Sequence, residues 1–214
     1  IKNENPLYMP RKKGFYHPLN FIKEVGDMLD PETIITTDVG QHQMWVAQAY
    51  PFKKPRKLLT SGGLGTMGFG LPVAIGAALA NPDKKVICIS GDGSFLMNIQ
   101  ELATLAELNL NITVIILNNG CLGMVRQQQE LFFNKNYVAS KFKSNPDFAS
   151  IANAFGVKGY DFTNVKEANE LLRGILSTSA PSVINVPIDD RENVLPIVPP
   201  GAANYQMIGG KIIE

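Results

Sequence analysis

Short apolar runs rich in β-branched residues recur along the chain, each closed by Gly, Asn, Asp or Pro. Val86-Ile87-Cys88-Ile89 and Ile115-Ile116-Leu117 show no polar alternation, the pattern of strands buried on both faces. Between them Ile99, Leu102, Ala103, Leu105 and Ala106 fall at helical spacing, and Asn109 stops the run. The three segments predict a βαβ unit with a right-handed crossover, which sets two strand ends side by side. Upstream, Pro18 followed by Phe21, Ile22, Val25 and Leu29 predicts an amphipathic helix, with His17 at its cap. A strand over 33–37, a helix opening at Gln41 and a strand over 57–59 come next. A glycine-rich loop over 61–70 and a helix over 71–80 complete that half. Downstream, helices are expected over 122–133, 147–155 and 166–176, and strands over 157–161 and 182–187. Six strands alternating with helices predict a three-layer, doubly wound α/β fold: a mostly parallel sheet with helices on both faces.

The pattern divides the chain into a lead-in over 1–16, a domain over 17–190 and a Pro- and Gly-rich tail over 191–214. With 214 residues, 45% hydrophobic and 18% charged, the chain can bury a sizeable core. Its 20 basic and 19 acidic residues are scattered and leave a net charge of +1, which argues against nucleic acid or a membrane surface as the main partner. The longest nearly apolar run, 69–80, is too short to cross a bilayer, and no cleavable signal pattern opens the sequence. Cys88 and Cys121 form no metal-type or redox pair, which fits a reducing, cytoplasmic setting.

Candidate chemistry gathers where the two central strands end. Asp92 offers a carboxylate, Asn119 an amide oxygen, and the turn from Asn119 to Gly123 offers main-chain carbonyls. Mg²⁺ is commonly held by one or two carboxylates together with phosphate oxygens. Gly91 and Gly93 allow close approach of a phosphate, and Ser94 can donate to it at a helix start. Gln41, His42 and Gln43 follow the first strand and are placed to donate to phosphate oxygens. From spacing alone two readings stand: a Mg²⁺-bridged diphosphate, or polar turns that only close strands. A nucleotide-binding module of Rossmann type is a third. Gly63, Gly65 and Gly68 have its glycine spacing, but the acids that follow, Asp83 and Asp92, fit its ribose position only loosely.

Gly91-Asp92-Gly93 with Asn118-Asn119 resembles the signature of thiamine-diphosphate enzymes. Four further segments resemble the acetohydroxyacid (acetolactate) synthase branch of that family, in family order over nearly the whole chain. They are Ser61 to Pro72, Gly40-Gln41-His42-Gln43-Met44-Trp45, Gly123-Met124-Val125-Arg126-Gln127-Gln128-Gln129, and Leu195 to Gly201. The resemblance implies a cofactor site from Gly40, Gln41, His42, Gly65, Met67, Asp92, Gly93, Ser94, Asn119, Gly123 and Met124. It implies Mg²⁺ on Asp92, Asn119 and the main-chain carbonyl of Cys121. It further implies that the Gly65 carbonyl and Met67 amide meet the aminopyrimidine, and that the Met67 side chain wedges the cofactor into a bent shape.

In the family, the full enzyme decarboxylates pyruvate and joins the two-carbon unit to a second 2-oxo acid. Met124 and Gln128 are implied to border that second substrate. Many relatives carry Trp where this sequence has Gln128, and that Trp favours 2-oxobutyrate, so strong preference for the larger acceptor is not expected here. The family's activating glutamate lies on a pyrimidine-binding domain of a partner subunit, and its FAD on a middle domain. Neither has a counterpart in these residues. The resemblance therefore implies a C-terminal third of a homo-oligomeric synthase, one that can associate with a regulatory small subunit. By itself it is expected to bind Mg²⁺ and thiamine diphosphate weakly and to be inactive. The tail is implied to form a flap over the site. The nearest rival within the fold is the corresponding half of another thiamine-diphosphate decarboxylase or oxidase.

Overall fold

The computed structural model describes residues 16–209. In chain order the elements are α1 (Pro18–Met28), β1 (Ile34–Thr37), α2 (Gln41–Ala49), β2 (Leu58–Thr60), α3 (Gly70–Ala80), β3 (Val86–Gly91) and α4 (Asp92–Phe95). There follow α5 (Glu101–Glu107), β4 (Ile112–Asn118), α6 (Gly123–Phe132), α7 (Phe148–Ala154), β5 (Lys158–Asp161), α8 (Ala168–Leu176) and β6 (Ser182–Pro187). The strands form one sheet in the order β2-β1-β3-β4-β6-β5. Every neighbouring pair is parallel, so the sheet is wholly rather than mostly parallel.

Side-chain alternation along the central strands sorts the core into two halves. Ile87, Ile89, Ile115 and Leu117 point to one face, beneath Phe21, Ile22 and Val25 of α1, Trp45 of α2 and Leu172 of α8. Val86, Cys88, Val114 and Ile116 point to the other, beneath Leu71 and Ala74 of α3, Leu102 of α5 and Phe148 of α7. All six residues of β3 are buried, so its uninterrupted apolar run has the origin expected of a strand covered on both sides. Each fully buried Ile or Leu contributes roughly 1.5–3 kcal/mol. Cys88 is a core residue, and burial pushes its thiol up to about 12.

The crossover between β3 and β4 departs from the predicted single helix over 99–108. It begins at once with the short turn α4, runs through a 3-10 turn at Leu96–Asn98 and ends in α5. Ser94 makes this entry, its hydroxyl lying 3.2 Å from the Gly91 carbonyl and 3.3 Å from the Gly91 N–H. At α1, Pro18 occupies the first turn as expected. His17 takes the N-cap position with its backbone, yet its side chain caps nothing and lies 3.6 Å from the Glu192 carboxylate. The expected lead-in over 1–16 falls outside the described residues except for Tyr16, whose ring packs edge-on against Phe21.

Candidate cofactor and cation site

The connections leave β1 toward the β2 edge and leave β3 toward the β4 side, so the strand order reverses between β1 and β3. At such a reversal a crevice opens beyond the carboxyl ends of the strands. Here it is a cleft of about 400 Å³ lined by residues from β1–α2, β3–α4, β4–α6, the glycine-rich loop and the tail. Gly40, Gln41, His42, Met67, Asp92, Gly93, Ser94, Asn119, Cys121, Gly123, Met124 and Gln128 all line it. Gly65 does not; it lies exposed on the loop, its N–H 3.1 Å from the Ser61 carbonyl.

Asp38, at the end of β1, anchors the loop. Its buried carboxylate accepts from the N–H groups of Val39 and Gly68 at 2.8 Å and of Gly70 at 3.1 Å. Burial raises its pKa, and these main-chain donors pull the other way. Gly68 has φ 87°, and a Cβ there would stand 2.7 Å from the Asn98 amide nitrogen, so both backbone and space require glycine. The loop is thus a fixed wall of the cleft, with Met67 next to its anchor point.

Helix α2 points its N-terminus at the cleft from Gly40, with no side chain capping it. Its first N–H groups are therefore available to an anion, and the dipole favours negative charge there. The side chains of this turn face inward. Gln41 donates to Gln127 Oε1 at 2.8 Å and to the Glu192 carbonyl at 2.9 Å. Gln43 donates to Thr60 Oγ1 at 2.8 Å and to the Ser61 carbonyl at 3.3 Å. His42 is buried, hydrogen-bonded to the Asp38 carbonyl, and pushed down to about 3 by burial, so it is a neutral imidazole. Its Nε2 is buried without a partner among the described residues.

Asp92 and Asn119 follow the ends of adjoining strands and line the same cleft. Asp92 Oδ2 accepts from the Gly120 N–H at 2.8 Å, and β3 and β4 are in register as far as Gly91 opposite Leu117. Asn145 Nδ2 also donates to Asp92 Oδ2 at 2.8 Å, and to Asn118 Oδ1 at 2.7 Å. The turn after Asn119 is braced by 140–142: Leu122 N–H meets the Ser140 carbonyl at 2.7 Å and Phe142 N–H meets the Gly120 carbonyl at 2.9 Å. Cys121 sits in this turn with its thiol pushed up to about 11 by burial, which suits a main-chain role better than a thiolate one. Gly123 opens α6 where no side chain fits: a Cβ would lie 2.0 Å from Gln41 Oε1 and 2.7 Å from Asn119 Nδ2.

Residues 38–186 match the family described as "Thiamine pyrophosphate enzyme, C-terminal TPP binding domain". The chain belongs to this family. It is 50% identical over 209 residues to the acetolactate synthase isozyme 1 large subunit of Escherichia coli (strain K12), covering 98% of this chain and 37% of that protein. Against the isozyme 2 large subunit of the same organism it is 47% identical over 195 residues, 91% of this chain and 35% of that protein. Against the acetolactate synthase large subunit of Lactococcus lactis subsp. lactis (strain IL1403) the identity is 48% over 208 residues, 97% of this chain and 36% of that protein. The chain thus spans a little over a third of the length of these curated relatives.

For a thiamine-diphosphate domain the donor set is coherent. Asp92 is the one acid among the residues lining the cleft, buried, raised in pKa by desolvation, and paired with no Lys or Arg among the described residues. No group of three His, Cys, Asp or Glu side chains there could hold a metal unaided. One carboxylate, one amide oxygen and main-chain carbonyls leave room for phosphate oxygens, as Mg²⁺ prefers. Three contributors escaped the sequence reading. Asp38 was legible only as the end of a strand, and Asn145 sits in a segment without period. Gln127 looked like one of three consecutive glutamines, and its place three residues after Met124 was the available signal.

Proposed function

We propose that this chain forms the diphosphate-binding part of a cytoplasmic acetolactate synthase. That enzyme would condense pyruvate with a second 2-oxo acid after decarboxylation, in branched-chain amino acid synthesis. The observation that carries the proposal is the approach of Asp92 to the Asn119–Gly120 turn, in a chain similar to acetolactate synthase large subunits over nearly its whole length. Asp92, Asn119 Oδ1 and the Cys121 carbonyl would hold Mg²⁺. Gly40, Gln41 and His42 would receive the diphosphate through the open end of α2, with Gly93 and Ser94 on its far side. Met67 would support the bend between the two rings, and Gly65 would reach the aminopyrimidine through its main chain.

When bound, thiamine diphosphate supplies the nucleophilic carbon that the reaction needs. The chain supplies shape, anchoring and a dry wall. His42 stays neutral beside the anion, so it contributes a ring rather than a positive charge. Met124 and Gln128 border the mouth of the cleft, where the second 2-oxo acid would enter. Gln128 is exposed and polar, so it offers no bulky apolar wall to a longer acceptor. Ile197 lines the cleft from the tail and pairs with Ile208, which supports a flap role for the tail beyond 190. The activating glutamate would come from the pyrimidine-binding domain of a partner subunit in a homo-oligomer. FAD and a regulatory small subunit would belong to the complete enzyme and not to this domain.

Isothermal calorimetry of the chain with thiamine diphosphate and Mg²⁺ tests the site. Weak, Mg²⁺-dependent binding that disappears in Asp92→Ala is expected; unchanged binding in that variant would remove Asp92 as a ligand. Incubation of the chain alone with pyruvate, Mg²⁺ and thiamine diphosphate should yield no acetolactate, and clear turnover would refute the need for a second domain.

A further inference from the structure

Two side-chain amides, those of Gln41 and Gln127, stand in line behind Asn119, and their polarity is set by main chain. Gln127, fully buried on α6, meets both peptide groups of Val194: its Oε1 accepts from the Val194 N–H at 2.7 Å and its Nε2 donates to the Val194 carbonyl at 2.9 Å. A backbone N–H can only donate and a carbonyl can only accept, so these contacts allow one orientation of the Gln127 amide. Its oxygen, turned toward the Val194 N–H, also receives Gln41 Nε2 at 2.8 Å. The Glu192 carbonyl, 2.9 Å from the same nitrogen, demands the same orientation of Gln41. Gln41 Oε1 is thereby left facing Asn119 and accepts from Asn119 Nδ2 at 3.1 Å. The nitrogen of Asn119 is committed to the protein interior. Its Oδ1 receives one long contact, 3.3 Å from the Cys121 N–H, which leaves a lone pair for a hard cation.

We infer that Gln127 is a positioning residue: through Gln41 it fixes the Asn119 amide so that oxygen, and not nitrogen, faces the cation site. The inference rests on the reading of Asp92 and Asn119 as cation ligands. Without the relay, the Asn119 amide would be free to turn, and in half its orientations it would present N–H groups to a divalent ion. Gln127 does not itself line the cleft, so it acts on the cation only through its neighbours. The relay also joins the cation site to the start of the tail, because its fixed reference is the peptide of Val194. By linkage, docking of that peptide and occupancy of the site favour each other equally.

The test compares Gln127→Leu, Gln127→Glu and Asn119→Ala in the full chain. The probe is Mn²⁺ at saturating thiamine diphosphate, titrated by electron paramagnetic resonance. Supporting groups behind a metal ligand commonly matter 10–100-fold in affinity. Gln127→Leu removes the acceptor and should weaken Mn²⁺ about 10-fold. Gln127→Glu, held protonated by burial so that its O–H can donate to the Val194 carbonyl, keeps an acceptor for both Val194 N–H and Gln41 and should stay within about threefold of the unaltered chain. A role in packing alone predicts the reverse order, because a buried carboxylate harms the fold more than a leucine. If Gln127→Glu does not fold, exchange of the Asn119 side-chain amide protons, followed by NMR without metal, decides: they should be protected in the unaltered chain and exposed in Gln127→Leu. Unchanged Mn²⁺ affinity or unchanged protection in Gln127→Leu overturns the relay. Asn119→Ala with normal Mn²⁺ affinity would instead sink the ligand assignment on which it rests.

Discussion

Asp38 and Gly68, thirty positions apart in sequence, are joined by a main-chain N–H to carboxylate bond of 2.8 Å that ties the glycine-rich loop to the end of β1. The Gly70 N–H reaches the other oxygen, so the loop is held at two points by one side chain. Asp38→Asn should therefore disrupt it, because one oxygen would become an NH₂ facing a main-chain donor. Leaving a buried donor unsatisfied costs about 1–3 kcal/mol. A domain of this size should lose about 2–4 °C in melting temperature per kcal/mol. Thermal unfolding by circular dichroism should show that loss, with weaker thiamine-diphosphate binding by calorimetry.

Gly123→Ala makes a separate steric prediction. The added methyl would collide with Gln41 Oε1 and Asn119 Nδ2, displacing both amides. Overpacking of this kind costs about 1–3 kcal/mol. A lowered urea midpoint together with loss of Mn²⁺ binding is the expected outcome. A chain that melts normally and binds Mn²⁺ normally would show that the crowding is relieved without consequence.

His42 sets a pH dependence. Burial holds it at about 3 when folded, against 6.5 for the free side chain. Between those values the unfolded chain binds the extra proton, so stability falls as pH is lowered through that window. The slope from this one group approaches 1.4 kcal/mol per pH unit. His42→Gln should lose about 2 kcal/mol less than the unaltered chain between pH 7.5 and 5 in urea unfolding. Equal losses would mean that the imidazole titrates normally in the fold.

Gln128 concerns specificity in a complete enzyme carrying this domain. A bulky apolar side chain in its place would cover the extra methylene of a longer 2-oxo acid, a contact worth about 1–3 kcal/mol. Gln128→Trp should raise the preference for 2-oxobutyrate over pyruvate as acceptor by roughly 10-fold in competition assays. No change in the product ratio would place the acceptor elsewhere.

The six strands and most helices were legible because burial on both faces of a parallel sheet leaves apolar runs, and caps such as Pro18 punctuate them. The turns that carry Asp92 and Asn119 were legible as well, since both residues directly follow such runs. What escaped was whatever depends on side chains meeting across the fold. Nothing in sequence spacing brings Gln127 to Val194 or Asn145 to Asp92, because those contacts exist only after the strands are in register. The split crossover at Asp92–Asn98 escaped for a local reason: its glycine and polar residues carry no helical period.

The cleft draws its walls from positions as far apart as Val39 and Ile197. The tail supplies the last of those walls, so a ligand held there would favour the complete domain over partly folded forms. Coenzyme supply would then act on the lifetime of the protein, since a ligand bound only by the folded state stabilises that state.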